Sequence, residues 1–107
     1  MTCKLLVIKL VRPNSDVPFY NTPEHLKVDM RNYGPPAVVG ERNLSNGLVR
    51  IRTLLFPAIG DYDNWLTNPV ILSNNNLRAE HNKKHGIIES RRAFELDSLD
   101  ILSNIEI

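Results

Sequence analysis

Residues 37–57 read AVVGERNLSNGLVRIRTLLFP, and the interpretation of this stretch decides the fold. Asn46-Gly47 is a favoured two-residue type I′ turn, because both positions require positive φ. Such a turn joins only antiparallel neighbours, so two strands flank it. In the second arm Val49, Ile51, Thr53 and Leu55 share one parity, and Leu48, Arg50, Arg52, Leu54 and Phe56 share the other. The first arm, about 37–44, contains Gly40 and reads as an edge strand or a bulge.

Upstream, CKLLVIKLVR (3–12) is the strongest strand signal in the chain. Leu6, Ile8 and Leu10 lie on one face, and Leu5, Val7, Lys9 and Val11 on the other, so the strand expects cover on both sides. Pro13 and Pro18 bound a loop. TPEHLKVDMRNYGPP then carries helix-end chemistry: Thr22 as N-cap, Pro23 at the first helical position, Glu24 at the positive dipole end and Gly34 at the stop. Leu26, Met30 and Tyr33 recur at helical spacing. The rival strand alternation of Leu26, Val28 and Met30 lacks such end signals.

Beyond Pro57, Asp61 or Asp63 caps a short helix with Trp65 and Leu66 toward the core, and Asn68-Pro69 interrupts it. A second helical piece is expected from about Asn76 to His85, with Asn74, Asn75 and Asn76 as a polar loop or cap. IIESRRAFEL (87–96) is the last strand. The order β-α-β-β-α-β corresponds to the ferredoxin-like split βαβ arrangement, an α+β fold with helices on one face of an antiparallel sheet. Residues 1–96 form the domain. The tail 97–107, DSLDILSNIEI, is expected to pack on its own sheet or on a partner.

The chain has 107 residues, a formal charge of +1, 42% hydrophobic and 23% charged residues, the profile of an ordinary globular domain. That balance disfavours nucleic acid, and no apolar run is long enough for a membrane helix. One cysteine, Cys3, excludes an intrachain disulfide and suggests a reducing, cytoplasmic setting.

The most chemical-looking stretch is HNKKHG (81–86). His81 and His85 at i, i+4 could face a metal, but a zincin-type site needs Glu directly after the first His, where Asn82 stands. Lys83, Lys84 and His85 before Gly86 instead describe a helix C-terminus. No metal or cofactor is expected. DYDN (61–64) lacks the Gly of a calcium loop. Arg50 and Arg52 are the candidates for an anion site, and the strands lack the aromatics of an RNA-binding sheet.

Two functions remain. The first is a non-enzymatic domain that self-associates or binds another protein. Placing Val49, Ile51 and Leu55 under the helices would leave Leu54 and Phe56 on the outer face, to form an interface with Ile101, Ile105 and Ile107. The alternative is a small dimeric α+β barrel enzyme with a pocket between sheet and helices near Tyr20, where His25, Tyr62, Trp65 and His81 would be the catalytic candidates.

Overall fold

The computed structural model describes residues 3–33 and 38–96. The elements are β1 (Cys3–Val11), α1 (Glu24–Tyr33), β2 (Val38–Leu44), β3 (Val49–Phe56), α2 (Ile59–Thr67), α3 (Pro69–His85) and β4 (Ile88–Leu96). The four strands form one antiparallel sheet in the order β2-β3-β1-β4. The chain is therefore an α+β domain. Helix α1 carries it from β1 past β3 to β2, and α2 with α3 carries it from β3 past β1 to β4.

The type I′ turn forms at Asn46-Gly47, with φ of 57° and 85° and the Leu48 amide donating to the Ser45 carbonyl at 3.2 Å. Ser45 also has positive φ, 53°. The ladder closes at Leu44↔Val49, so the loop is four residues long rather than two. The Gly47 carbonyl accepts from Arg12 Nε at 2.9 Å, and the Arg12 amide donates to the Leu48 carbonyl at 3.0 Å. These bonds tie the turn to the end of β1. The stop signal assigned to Gly34 lies outside the described residues.

The second helical region differs from the expectation. Helix α3 begins at Pro69, not Asn76, and runs for 17 residues. Asn68 caps it: its Oδ1 accepts from the Val70 and Ile71 amides at 2.9 and 3.3 Å. Pro69 occupies the first position, where no amide is needed. The same dipeptide that ends α2 thus starts α3. At the far end Gly86 adopts φ 72°, behind Lys83, Lys84 and His85, so HNKKHG is the helix terminus. Asn68→Ala should cost about 1 kcal/mol, seen as a lower urea midpoint with unchanged slope.

The main core lies between sheet and helices. Leu6, Ile8 and Leu10 from β1 meet Leu54 and Phe56 from β3, Trp65 from α2, Ile71 from α3 and Ile87. Phe56 is fully buried, with the Tyr62 and Trp65 rings edge-on at 5.2 and 5.4 Å. This corrects the facing assigned to β3: Leu54 and Phe56 point under the helices and form no outer interface. Both parities of the strand carry bulky apolar residues, so its own pattern is ambiguous. The partner decides, because Leu6 stands opposite Leu54 and Lys4 opposite Phe56. Arg50 and Arg52 consequently lie on the helix side as well.

Candidate functional site

Helix α3 turns an unusual stripe inward. Its buried residues are Ile71, Asn74, Arg78 and Asn82, whereas Leu72 and Leu77 are more than 40% exposed. An ordinary amphipathic helix would bury the leucines. Each inward polar group has a partner. Asn74 Oδ1 accepts from the Tyr20 hydroxyl at 2.8 Å. Arg78 donates through Nε to Glu89 Oε1 and through Nη2 to Asn75 Oδ1, both at 2.8 Å. Asn82 Nδ2 stands 3.5 Å from the same Glu89 oxygen, and Arg91 Nε donates to Glu89 Oε2 at 3.0 Å.

Arg78 of this stripe borders a cavity of about 210 Å³. Ile8 and Leu10 of β1, with Arg50 and Arg52 of β3, come from the sheet beneath it, and Glu41 from the edge strand. Tyr20, Asn21 and Thr22 approach from the loop before α1, Lys27 from α1 and Arg78 from α3. A second cavity of about 370 Å³ shares Tyr20, Asn21 and Arg50 with the first and continues to Arg12, Phe19 and Gly47. The cavities exist at this end of the sheet because the large aromatics Phe56, Trp65 and Tyr62 fill the other end.

The cations around this space differ in how well they are neutralised. Arg50 Nε contacts Glu41 Oε1 at 2.7 Å, and its guanidinium lies 4.4 Å over the Phe19 ring. Arg12 is held by the Gly47 and Val17 carbonyls. Arg52 is different. Its Nε is buried with no hydrogen-bond partner among the described residues. Burial pushes its pKa below the usual arginine value; Glu41 opposes this, and Arg78 and Arg50 add to it. The sign follows: the charged Arg52 disfavours folding at neutral pH, and that cost is relieved only when pH rises through the lowered value. Tyr20 moves upward, chiefly through burial and against the pull of Arg78, so its phenol stays protonated and donates to Asn74.

Of the residues grouped in the sequence as a barrel-enzyme site, Tyr20 lines the cavity. His25, Tyr62, Trp65 and His81 do not line it. His25 is exposed on α1. Trp65 is 3% exposed in the core, its Nε1 without a hydrogen-bond partner among the described residues. Tyr62 packs edge-on to Phe56, with Lys4 Nζ 4.7 Å from its ring centroid. His81 Nε2 stands 2.8 Å from the Pro18 carbonyl, with the Tyr20 and His85 rings 5.8 and 4.4 Å away. That arrangement pins the loop over α3. Among the described residues no three His, Cys, Asp or Glu side chains gather as a metal site requires.

Sequence reasoning missed Lys27, Asn74, Arg78 and Glu89. The available signal was the spacing of Ile71, Asn74, Arg78 and Asn82, one helical face drawn mostly in polar residues.

The face of the sheet away from the helices has its own pattern. Cys3, Leu5 and Leu55 form a small buried cluster with Val7 and Phe94. At the other end, Leu44, Val49, Val11 and Ile88 stand in one row across all four strands. Leu44 is 41% and Ile88 69% exposed. The adjacent row is Arg42, Ile51, Lys9 and Ser90, and Arg92 stands beyond, opposite Val7. Strand alternation places Glu41, Glu89 and Glu95 on the helix side. The charged residues of the outer face are therefore all cations among the described positions.

No protein-family model and no curated protein matches this chain. A solved structure does: that of Rv0793 from Mycobacterium tuberculosis, 12% identical, with a TM-score of 0.52 over 91% of this chain and 96% of that one. Likeness at this identity shows a shared α+β fold alone. No helix among the described residues is long and apolar enough to cross a membrane.

Proposed function

We propose that the chain is a small ferredoxin-like, non-enzymatic assembly domain that associates with a second copy of itself through the outer face of its sheet. The observation that carries this reading is the apolar row Leu44, Val49, Val11 and Ile88, which crosses all four strands with Leu44 and Ile88 exposed at its two ends. Continuous exposed apolar surface of this kind marks a partner site. Its cations Lys9, Arg42 and Arg92 call for an acidic and apolar occupant. The segment 97–107 has that composition, with Asp97, Asp100 and Glu106 among Leu99, Ile101, Leu102, Ile105 and Ile107, and no cation. It follows Leu96, whose partner in the ladder is Cys3. Segments exchanged between two copies would meet the charge on both sheets. Residues 97–107 lie outside the described residues, so Ile101, Ile105 and Ile107 enter as part of the proposal.

Sedimentation velocity tests it. The wild-type chain should dimerise in the micromolar range. Ile88→Asp should weaken association by on the order of a hundredfold, since each copy loses a buried aliphatic side chain and gains a carboxylate in an apolar row. A wild-type chain that stays monomeric at about 200 μM, outside the range of ordinary homodimers, overturns the reading. A second reading, a dimeric α+β barrel enzyme with its substrate between sheet and helices, draws its support from the cavity over Arg52.

A further inference from the structure

Arg52 presents a problem that the fold by itself leaves unsolved. A buried N–H without a partner destabilises, and more so on a charged group. Glu89 serves Arg78 and Arg91, and Glu41 contacts Arg50. Neither carboxylate lies within ion-pair distance of Arg52. Lys27 adds another cation to the same space. The local excess of positive charge sits with Ile8 and Leu10 in a cavity that Asn21 and Thr22 also line. Guanidinium groups in such a setting recognise planar or tetrahedral oxyanions through paired N–H bonds.

We propose that this cavity is a binding site for a small-molecule oxyanion, a carboxylate or phosphoryl group paired with Arg52 and Lys27, its apolar body resting on Ile8 and Leu10. The volume of about 210 Å³ sets the size: it is below the usual range for drug-sized ligands and suits a compact one. The neighbouring cavity beyond Tyr20 gives a longer molecule room to extend. This inference is independent of assembly, because every residue in it belongs to the helix side of one chain.

The test uses the full-length chain and two probes, benzoate and inorganic phosphate, each titrated against sodium chloride at matched ionic strength. Heteronuclear NMR of the arginine Nε–H groups reports the site directly. One probe should shift the Arg52 signal saturably, and its identity distinguishes carboxylate from phosphoryl chemistry. The melting temperature should rise with that probe and not with chloride. Arg52→Met should melt higher than wild type without ligand and lose the probe-dependent rise, a combination that a purely structural arginine would not produce. Lys27→Met, on α1 away from the main core, should weaken the probe by roughly tenfold. It serves as the second variant if Arg52→Met fails to fold. Equal responses to both probes and chloride, or probe shifts that leave Arg52 unmoved, overturn the proposal. Sedimentation of the same samples separates this outcome from the assembly reading.

Discussion

Phe56→Ala should destabilise the chain by roughly 3–5 kcal/mol, the largest effect of any single substitution considered. The ring is fully buried and joins the three parts of the fold that must meet. It stands on β3, opposite Lys4 of β1, and takes edge-on contacts from Tyr62 and Trp65 of α2. Aromatic pairs at these distances add to the burial term. Truncation leaves a hole lined by a sheet and a helix that are both anchored elsewhere, so collapse into it is limited. Against a typical total of about 5–15 kcal/mol, the loss should lower the melting temperature by more than about 12 °C. Denaturation followed by calorimetry or circular dichroism measures it. A loss under about 1 kcal/mol would mean that Phe56 does not face the helices. Leu55→Ala makes a useful companion, because Leu55 belongs to the cluster on the other side of the same strand.

Glu89→Ala should cost about 3 kcal/mol, although Glu89 itself is only partly buried. The reason is what it leaves behind. Arg78 has a side chain 9% exposed and binds Glu89 at 2.8 Å, and Arg91 binds the other oxygen at 3.0 Å. Removing the carboxylate leaves a desolvated guanidinium with Asn75 as its remaining side-chain partner among the described residues, while Arg78 and Arg52 repel each other. The double variant Arg78→Met/Glu89→Leu should recover much of the loss, since a buried ion pair exchanged for apolar side chains of similar size is often near neutral. Urea titrations of both singles and the double form a closed cycle. A double variant as unstable as the sum of the singles would show that the pair does not act as a unit.

These two substitutions mark how far the sequence could be read. β1 was legible because its dense β-branched and aliphatic run stops just before Pro13. α1 was legible because Pro23 and Glu24 signal its start, although the helix begins at Glu24, one residue later than a Thr22 cap implies, with the Pro23 carbonyl accepting from the Lys27 amide. The turn at Asn46-Gly47 formed, but the loop around it grew to four residues. The loop is tied to Arg12, a residue 35 positions away in the chain, whose Nε donates to the Gly47 carbonyl. The start of α3 was displaced to Asn76. The helix buries asparagine and arginine and exposes two leucines, so the apolar periodicity that locates a helix is silent there. Asn68-Pro69, read as a break, serves as cap and first residue of the next helix.

The site was the least legible part. Arg50 and Arg52 stood out as a pair, but their surroundings could not be read from β3. Lys27, Asn74, Arg78 and Glu89 come from three other elements, and nothing local to any of them points to the rest. Local chemistry determined the order of strands and helices and the place of the hairpin, because turns, breakers and strand-forming runs act over a few residues. It did not place every helix start, since α2 begins at Ile59 behind Ala58 rather than at an Asp61 or Asp63 cap. Which side of β3 lies under the helices, and so whether Phe56 is core and Arg52 lines a cavity, was decided only in the tertiary structure. A strand with period two and bulky apolar residues on both parities has no preferred side of its own. The register with β1 and the packing of Trp65 and Ile71 against one face impose it.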